Sequence, residues 1–162
     1  MRYFAGQTYY LMDITWRHYA FDTLDVHLLY AILALRQEVF VVEQTCYYLD
    51  ADGRDQQALH VVGMLDGQVV AYTRVLNRGV AYPDYASIGR VVTSPSVRGR
   101  GLGRPLMQES LGVLYAHYGK QPVKISAQAH LQAFYGSLGY VGVGEGYDED
   151  GIPHRAMVLI PQ

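Results

Sequence analysis

The segment Ile88-Gly89-Arg90-Val91-Val92-Thr93-Ser94-Pro95-Ser96-Val97-Arg98-Gly99-Arg100-Gly101-Leu102-Gly103-Arg104 constrains this chain more than any other. It opens as the end of a β-branched strand over Ala86–Thr93 and passes through a tight turn at Gly99–Gly103. From Leu102 to Tyr118 it reads as a helix, with Leu106, Met107, Leu111 and Leu114 inward. Glycines let backbone approach a ligand with no Cβ in the way. The start of a helix leaves N–H groups unpaired at the positive end of its dipole, which attracts phosphate. Arg98, Arg100 and Arg104 add positive charge beside it. Together these features describe a cradle for a pyrophosphate. Pro105 falls in the first turn, where its missing N–H costs the helix little but takes one amide from the cradle.

Two common phosphate ligands fail on spacing. The ATP-type loop requires Gly, four residues and Gly-Lys-Ser/Thr, a string the chain does not contain. The dinucleotide fingerprint Gly-x-Gly-x-x-Gly requires glycine at 104 or 106, where Arg104 and Leu106 stand.

The remaining sequence reads as one domain, 1–162, with an N-terminal extension over 1–12; domains run ~100–200 residues. Trp16–Phe21 reads as a strand, with Asp22 and Thr23 as helix caps. Leu28, Ile32, Leu35 and Val39 recur at three- and four-residue spacing, which predicts an amphipathic helix over 24–42. Asp66-Gly67 between two apolar runs predicts a hairpin of Leu59–Leu65 and Val69–Leu76. Val123–Ala127 reads as a strand, and Leu131–Leu138 as a short helix closed by Gly139. The last strands are expected at 141–143 and 155–160, around an acidic turn at 148–151. The order predicts a mixed α/β domain on one sheet.

Composition closes off other classes. The net charge of −2 argues against a phosphate-gripping nucleic-acid binder. The single cysteine, Cys46, suits a reducing cytoplasm, and no apolar run approaches the ~18–20 residues of a membrane helix. Six histidines without metal-ligand spacing predict no metal site.

The chain resembles the GCN5-related N-acetyltransferases (GNAT). Arg98-x-x-Gly101-x-Gly103 matches their Gln/Arg-x-x-Gly-x-Gly/Ala signature, and Ala133-Phe134-Tyr135-Gly136-Ser137-Leu138-Gly139-Tyr140 is similar to their closing helix. Arg36 to Gln44, then Asp50, Asp52, Asp55 and His60, resembles the ElaA-like subfamily. So do Ala127–Gln132 and Glu149–His154. Tyr47 departs from it, since relatives often carry proline there.

The resemblance implies a mostly antiparallel, splayed sheet with acetyl-CoA in the V between the fourth and fifth strands. It implies that the pyrophosphate meets Arg98, Gly99, Arg100, Gly101, Leu102, Gly103 and Arg104, and that backbone of Val91, Val92 and Thr93 meets the pantetheine arm. His130 and Phe134 would line the cofactor groove. The implied reaction is acetyl transfer to a primary amine by direct attack, with Tyr135 as acid toward the leaving thiolate. The acceptor would be a small amine, or a protein lysine or N-terminus. A homodimer is compatible with the family.

The base stays open among Glu43, favoured, and His60, His130, His154 and Glu145, or a water relay. Arg36 with Asp52 and Asp55 reads either as an acceptor-binding network or as a structural ion pair pinning the loop. Two alternatives remain beside the transferase. One is a non-catalytic acyl-CoA-binding sensor. The other is an acyl-homoserine lactone synthase, whose pattern Arg36-x-x-Val39-Phe40 and Asp52-x-x-Asp55 resemble.

Overall fold

The computed structural model describes residues 13–162; the proposed extension over 1–12 lies outside them. Seven strands form one sheet: β1 (Thr15–Ala20), β2 (Leu59–Leu65), β3 (Gln68–Leu76), β4 (Ala86–Thr93), β5 (Val123–Gln128), β6 (Val141–Glu149) and β7 (Ile152–Leu159). Their order is β1-β2-β3-β4-β5-β7-β6, antiparallel throughout except for β4 and β5. The helices are α1 (Val26–Arg36), α2 (Gly103–Tyr118) and α3 (Gln132–Ser137). This is the mixed, mostly antiparallel α/β architecture expected from the sequence.

Side chains alternate across a strand, so neighbouring residues of β2 enter different cores. Val61 joins Val75, Ile88, Leu114, Ile125 and Met157 on the α2 face. Val62 joins Ile32, Leu35, Val39, Phe40 and Tyr72 on the α1 face. The hairpin turn at Asp66-Gly67 has both residues at positive φ, 50° and 77°, as a two-residue turn demands.

The differences from the sequence reading lie at element ends. Asp22 and Thr23 belong to a short 3-10 turn over Phe21–Thr23, and the cap of α1 is Asp25. Its carboxylate accepts from the amides of His27 and Leu28, both at 2.9 Å. The expected helix over 24–42 is α-helical only to Arg36 and continues as π-helix over Gln37–Glu43. The apolar face runs on through Val39 and Phe40, so hydrophobic spacing alone does not reveal the change of pitch. At the C-terminus β6 runs to Glu149, not 143, and β7 begins at Ile152. Gly144-Glu145-Gly146 interrupts the apolar alternation, and the register shifts there between Val143 and Tyr147. The acidic turn therefore narrows to Asp150-Gly151, with φ of 53° and 81°.

The feature that positions the site lies in β4. Tyr72 pairs with Val92, but Arg74 pairs with Gly89, so two residues of β4 oppose one of β3. The extra residue is Arg90, at φ +51°. A non-glycine there costs ~1–2 kcal/mol and must be held by its surroundings. Bulges increase local twist and bend the strand. Beside it, β4 and β5 pair only at Ala86–Val123 and Ser87–Lys124. Beyond those pairs the two strands form no ladder, and a cleft opens between them.

Candidate active site

Arg90 is held by its side chain. Its Nε donates to Asp50 Oδ1 at 2.7 Å and its NH2 to the Asp50 carbonyl at 3.1 Å, while Tyr48 lies under the guanidinium at 5.5 Å. Asp50 also accepts from Arg36 Nε at 2.7 Å, and Arg36 NH1 reaches Asp55 Oδ1 at 2.8 Å. Arg74 grips Asp52 through two nitrogens at 2.7 and 2.9 Å and reaches Asp55 at 3.1 Å. Three carboxylates are thus matched by three guanidiniums in a network buried at Arg36, Asp50, Asp55 and Arg74 and open to solvent at Asp52. Burial alone would raise the Asp55 carboxyl, but Arg36 and then Arg74 outweigh it and hold it below the usual carboxylate range. Of the two readings of Arg36, the geometry is that of a structural ion pair: the residue is fully buried and its guanidinium is taken up by Asp50 and Asp55. Arg74 and Arg90 were missed in the sequence, because their pairing partners stand 19 to 40 positions away.

The bulge decides which backbone groups face the cleft. Ser94 N donates to Val70 O at 2.7 Å, and pairing of Tyr72 with Val92 continues that ladder. Alternate residues of a strand turn their amides to the same neighbour. Val92 therefore turns its N–H and C=O to β3, and its side chain is buried in the α1-face core. Val91 and Thr93 present theirs away from β3. Thr93 O accepts from Arg98 Nε and NH2 at 3.4 Å.

The cleft has a volume of about 370 Å³. Gly89, Arg90 and Val91 of β4 form one wall, with Ile125, Ser126 and Gln128 of β5 opposite. Tyr135, from α3, contributes to the lining. Burial pushes its hydroxyl up to about 12, so it is a neutral proton donor at physiological pH. It donates to no other described residue. At the other end stand Arg54, Tyr82, Glu149, Asp150 and His154.

The glycine-rich turn lies where β4 leads into α2. Gly99 and Gly101 both adopt φ +75°, and open space surrounds the position a Cβ would take at either. Phe134 packs on Gly103, where its ring would sit 3.2 Å from an added Cβ. Arg104 is tied to Ser137 Oγ at 2.7 Å. Leu102 caps α2 without a side-chain hydrogen bond, and the first helical bond runs from Leu106 N to Leu102 O. The amides of Gly101, Leu102, Gly103 and Arg104 thus donate to no other described residue. Open amides, room at the glycines and neighbouring guanidiniums fit a diphosphate.

The candidate bases separate. Glu43 pairs with Arg98 at the glycine-rich turn and is not part of the cleft lining. His60 is buried in the fold: its Nε2–H donates to Asp55 O at 2.9 Å, since a carbonyl only accepts, and its Nδ1 accepts from Tyr72 OH at 2.7 Å. Both ring nitrogens are occupied. His130 is exposed outside the cleft, and Glu145 borders a separate shallow groove. His154 alone of the expected candidates reaches the cleft. Its Nδ1–H donates to Ile152 O at 2.7 Å, and its Nε2 lies 3.5 Å from Glu149 Oε2. Glu149 also accepts from Ser126 Oγ at 2.8 Å. The sequence placed Glu149 in an acidic turn; the structure puts it at the end of β6, whose extent its glycines hide.

A mixed sheet opened between its fourth and fifth strands, with a bulged fourth strand and a glycine-rich turn, is the architecture of an acyltransferase family. Residues 34–161 match the family described as "Acetyltransferase (GNAT) domain", and the chain belongs to that family. Within it, the chain is similar to the ElaA proteins. Escherichia coli ElaA is 43% identical over 146 residues, 89% of this chain and 95% of that one. Its crystal structure superposes with a TM-score of 0.84 at 42% identity, over 90% of this chain and 99% of that one. An acyl-CoA N-acyltransferase from Pseudomonas aeruginosa gives 0.83 at 44% identity, over the same shares of the two chains. No helix among the described residues is long and apolar enough to cross a membrane.

Proposed function

We propose that the protein transfers acetyl from acetyl-CoA to a primary amine by direct attack within a ternary complex. The observation that carries this reading is the Arg90 bulge. It leaves Val91 backbone groups unpaired with β3 and beside a cleft lined by Tyr135, a few residues before the open amides of Gly101, Leu102, Gly103 and Arg104. Acetyl-CoA held by that turn and by Arg98 and Arg104 would supply an activated thioester at the cleft.

The chain's own groups then divide the work. The Val91 N–H donates to the carbonyl oxygen as negative charge grows on it. Tyr135 gives its hydroxyl proton to the departing sulfur and regains one from solvent. The proton lost by the attacking nitrogen passes to His154 Nε2, where Glu149 stabilises the resulting imidazolium. In this account Glu43 fixes Arg98 at the cofactor turn. A C–N bond forms, a C–S bond breaks, and the amide and free thiol leave.

The test is a screen of primary amines with acetyl-CoA, read as released thiol. Acceptor-dependent release supports the reading. Tight CoA binding without release for any amine would instead favour a sensor. Release only with long acyl donors and S-adenosylmethionine would favour lactone synthesis.

A further inference from the structure

The far end of the cleft carries charges of both signs. Asp50, Asp52 and Asp55 are fully matched by Arg36, Arg74 and Arg90, so this network offers a ligand no net charge. Arg54, in the same wall, has no carboxylate among the described residues within ion-pair distance, and its guanidinium is left for something else. Arg90 uses Nε and NH2 on Asp50 and Asp52 and leaves NH1 without a described partner. The Nε of Arg74, a residue only 3% exposed and part of the same lining, is a buried donor with no partner. Unpartnered buried donors are uncommon, and this one leaves the guanidinium layer behind the cleft wall with hydrogen-bonding capacity its carboxylates do not use.

Glu149, Asp150 and His154 line the same cleft. Arg54, Tyr82 and Glu149 line this same end of the cleft. Burial first raises its hydroxyl; Tyr147 and Glu149 raise it further, while Arg54 lowers it. One phenol therefore senses Glu149 and Arg54 together. A simple alkylamine would meet Glu149 but leave Arg54 and the other donors unsatisfied. A polyamine would place a second cation against Arg54, at an electrostatic cost.

We propose, resting on the transferase reading above, that the acceptor is a zwitterion: a primary amine that also carries a carboxylate. Its ammonium lies at Glu149 and His154, and its carboxylate accepts from Arg54 and the free NH1 of Arg90. Guanidinium groups suit carboxylates because they offer parallel donors in a plane. The arrangement disfavours lysines inside a protein chain, which bring no carboxylate of their own.

The experiment is calorimetry with the CoA-loaded protein and matched probes: glycine, β-alanine, 4-aminobutyrate and 6-aminohexanoate. Each is titrated beside the alkylamine and the diamine of equal carbon number. At least one amino acid is expected to bind tenfold or more tighter than both matched amines. In Arg54→Gln that ratio falls toward one, and Arg54→Lys restores part of it. Amino acids binding no better than their matched amines would overturn the proposal, as would a ratio unchanged in Arg54→Gln. Thiol release with acetyl-CoA is read separately on the same probes. Selective binding without release would sink the transferase reading and leave the zwitterion site standing.

Discussion

Arg36→Ala is expected to lower the unfolding free energy by ~3–5 kcal/mol, the usual loss when one partner of a buried ion network is removed. The size follows from what is left behind. Asp50 and Asp55 are less than a tenth exposed, and each loses a hydrogen bond of 2.7 or 2.8 Å to a charged donor. Surface ion pairs are worth under ~1 kcal/mol, so the number separates the two cases. Arg36→Lys should recover little, because one ammonium cannot span two carboxylates and the Asp50 carbonyl as the guanidinium does. Urea unfolding measures both variants; a loss below ~1 kcal/mol for Arg36→Ala would mean that solvent or a neighbour replaces the guanidinium. The consequence reaches the cleft, since Asp50 also holds Arg90 at its positive φ. A variant that still folds should therefore lose turnover as well.

Tyr135→Phe should reduce turnover ~10²–10³-fold, the range expected for loss of one positioned proton donor. CoA affinity should change little, because the substitution removes an oxygen and keeps the ring that packs edge-on against Phe134 and Tyr140. The hydroxyl, pushed up to about 12 by burial, stays protonated across the neutral range. Turnover should thus show no alkaline loss attributable to Tyr135 up to about pH 10, where an unshifted tyrosine would already be half ionised. Unchanged turnover on a good acceptor would remove Tyr135 from the proton path.

Local signals made the cofactor side of this protein legible before its structure. The strand, turn and helix over 86–118 are contiguous, and glycine, arginine and proline each act within a few residues. The Asp66-Gly67 hairpin and the Ile32–Val39 stripe are local in the same sense, and both appear where expected. What stayed hidden depends on distant partners. Nothing near Arg90 in sequence signals a left-handed residue; Asp50, 40 positions away, holds it there. The split between Val91 and Val92 depends on the register against β3, which that bulge resets. Glu149 entered the cleft only because β6 continues through a glycine-rich irregularity that masks its period. Glu43 sits close to the expected helix end, yet Arg98, 55 positions on, captures it.

The central claim is that the open amides of Gly101, Leu102, Gly103 and Arg104, with the guanidiniums beside them, hold the diphosphate of coenzyme A. Gly101→Glu tests it cleanly. A Cβ at Gly101 would meet no atom within 4 Å, so the fold should survive at the modest cost of a non-glycine at φ +75°. The new carboxylate would stand where the diphosphate belongs. Calorimetric titration with coenzyme A should give saturable binding for the natural chain and none for Gly101→Glu, with both unfolding cooperatively in urea. Equal affinity in the folded variant would contradict the account.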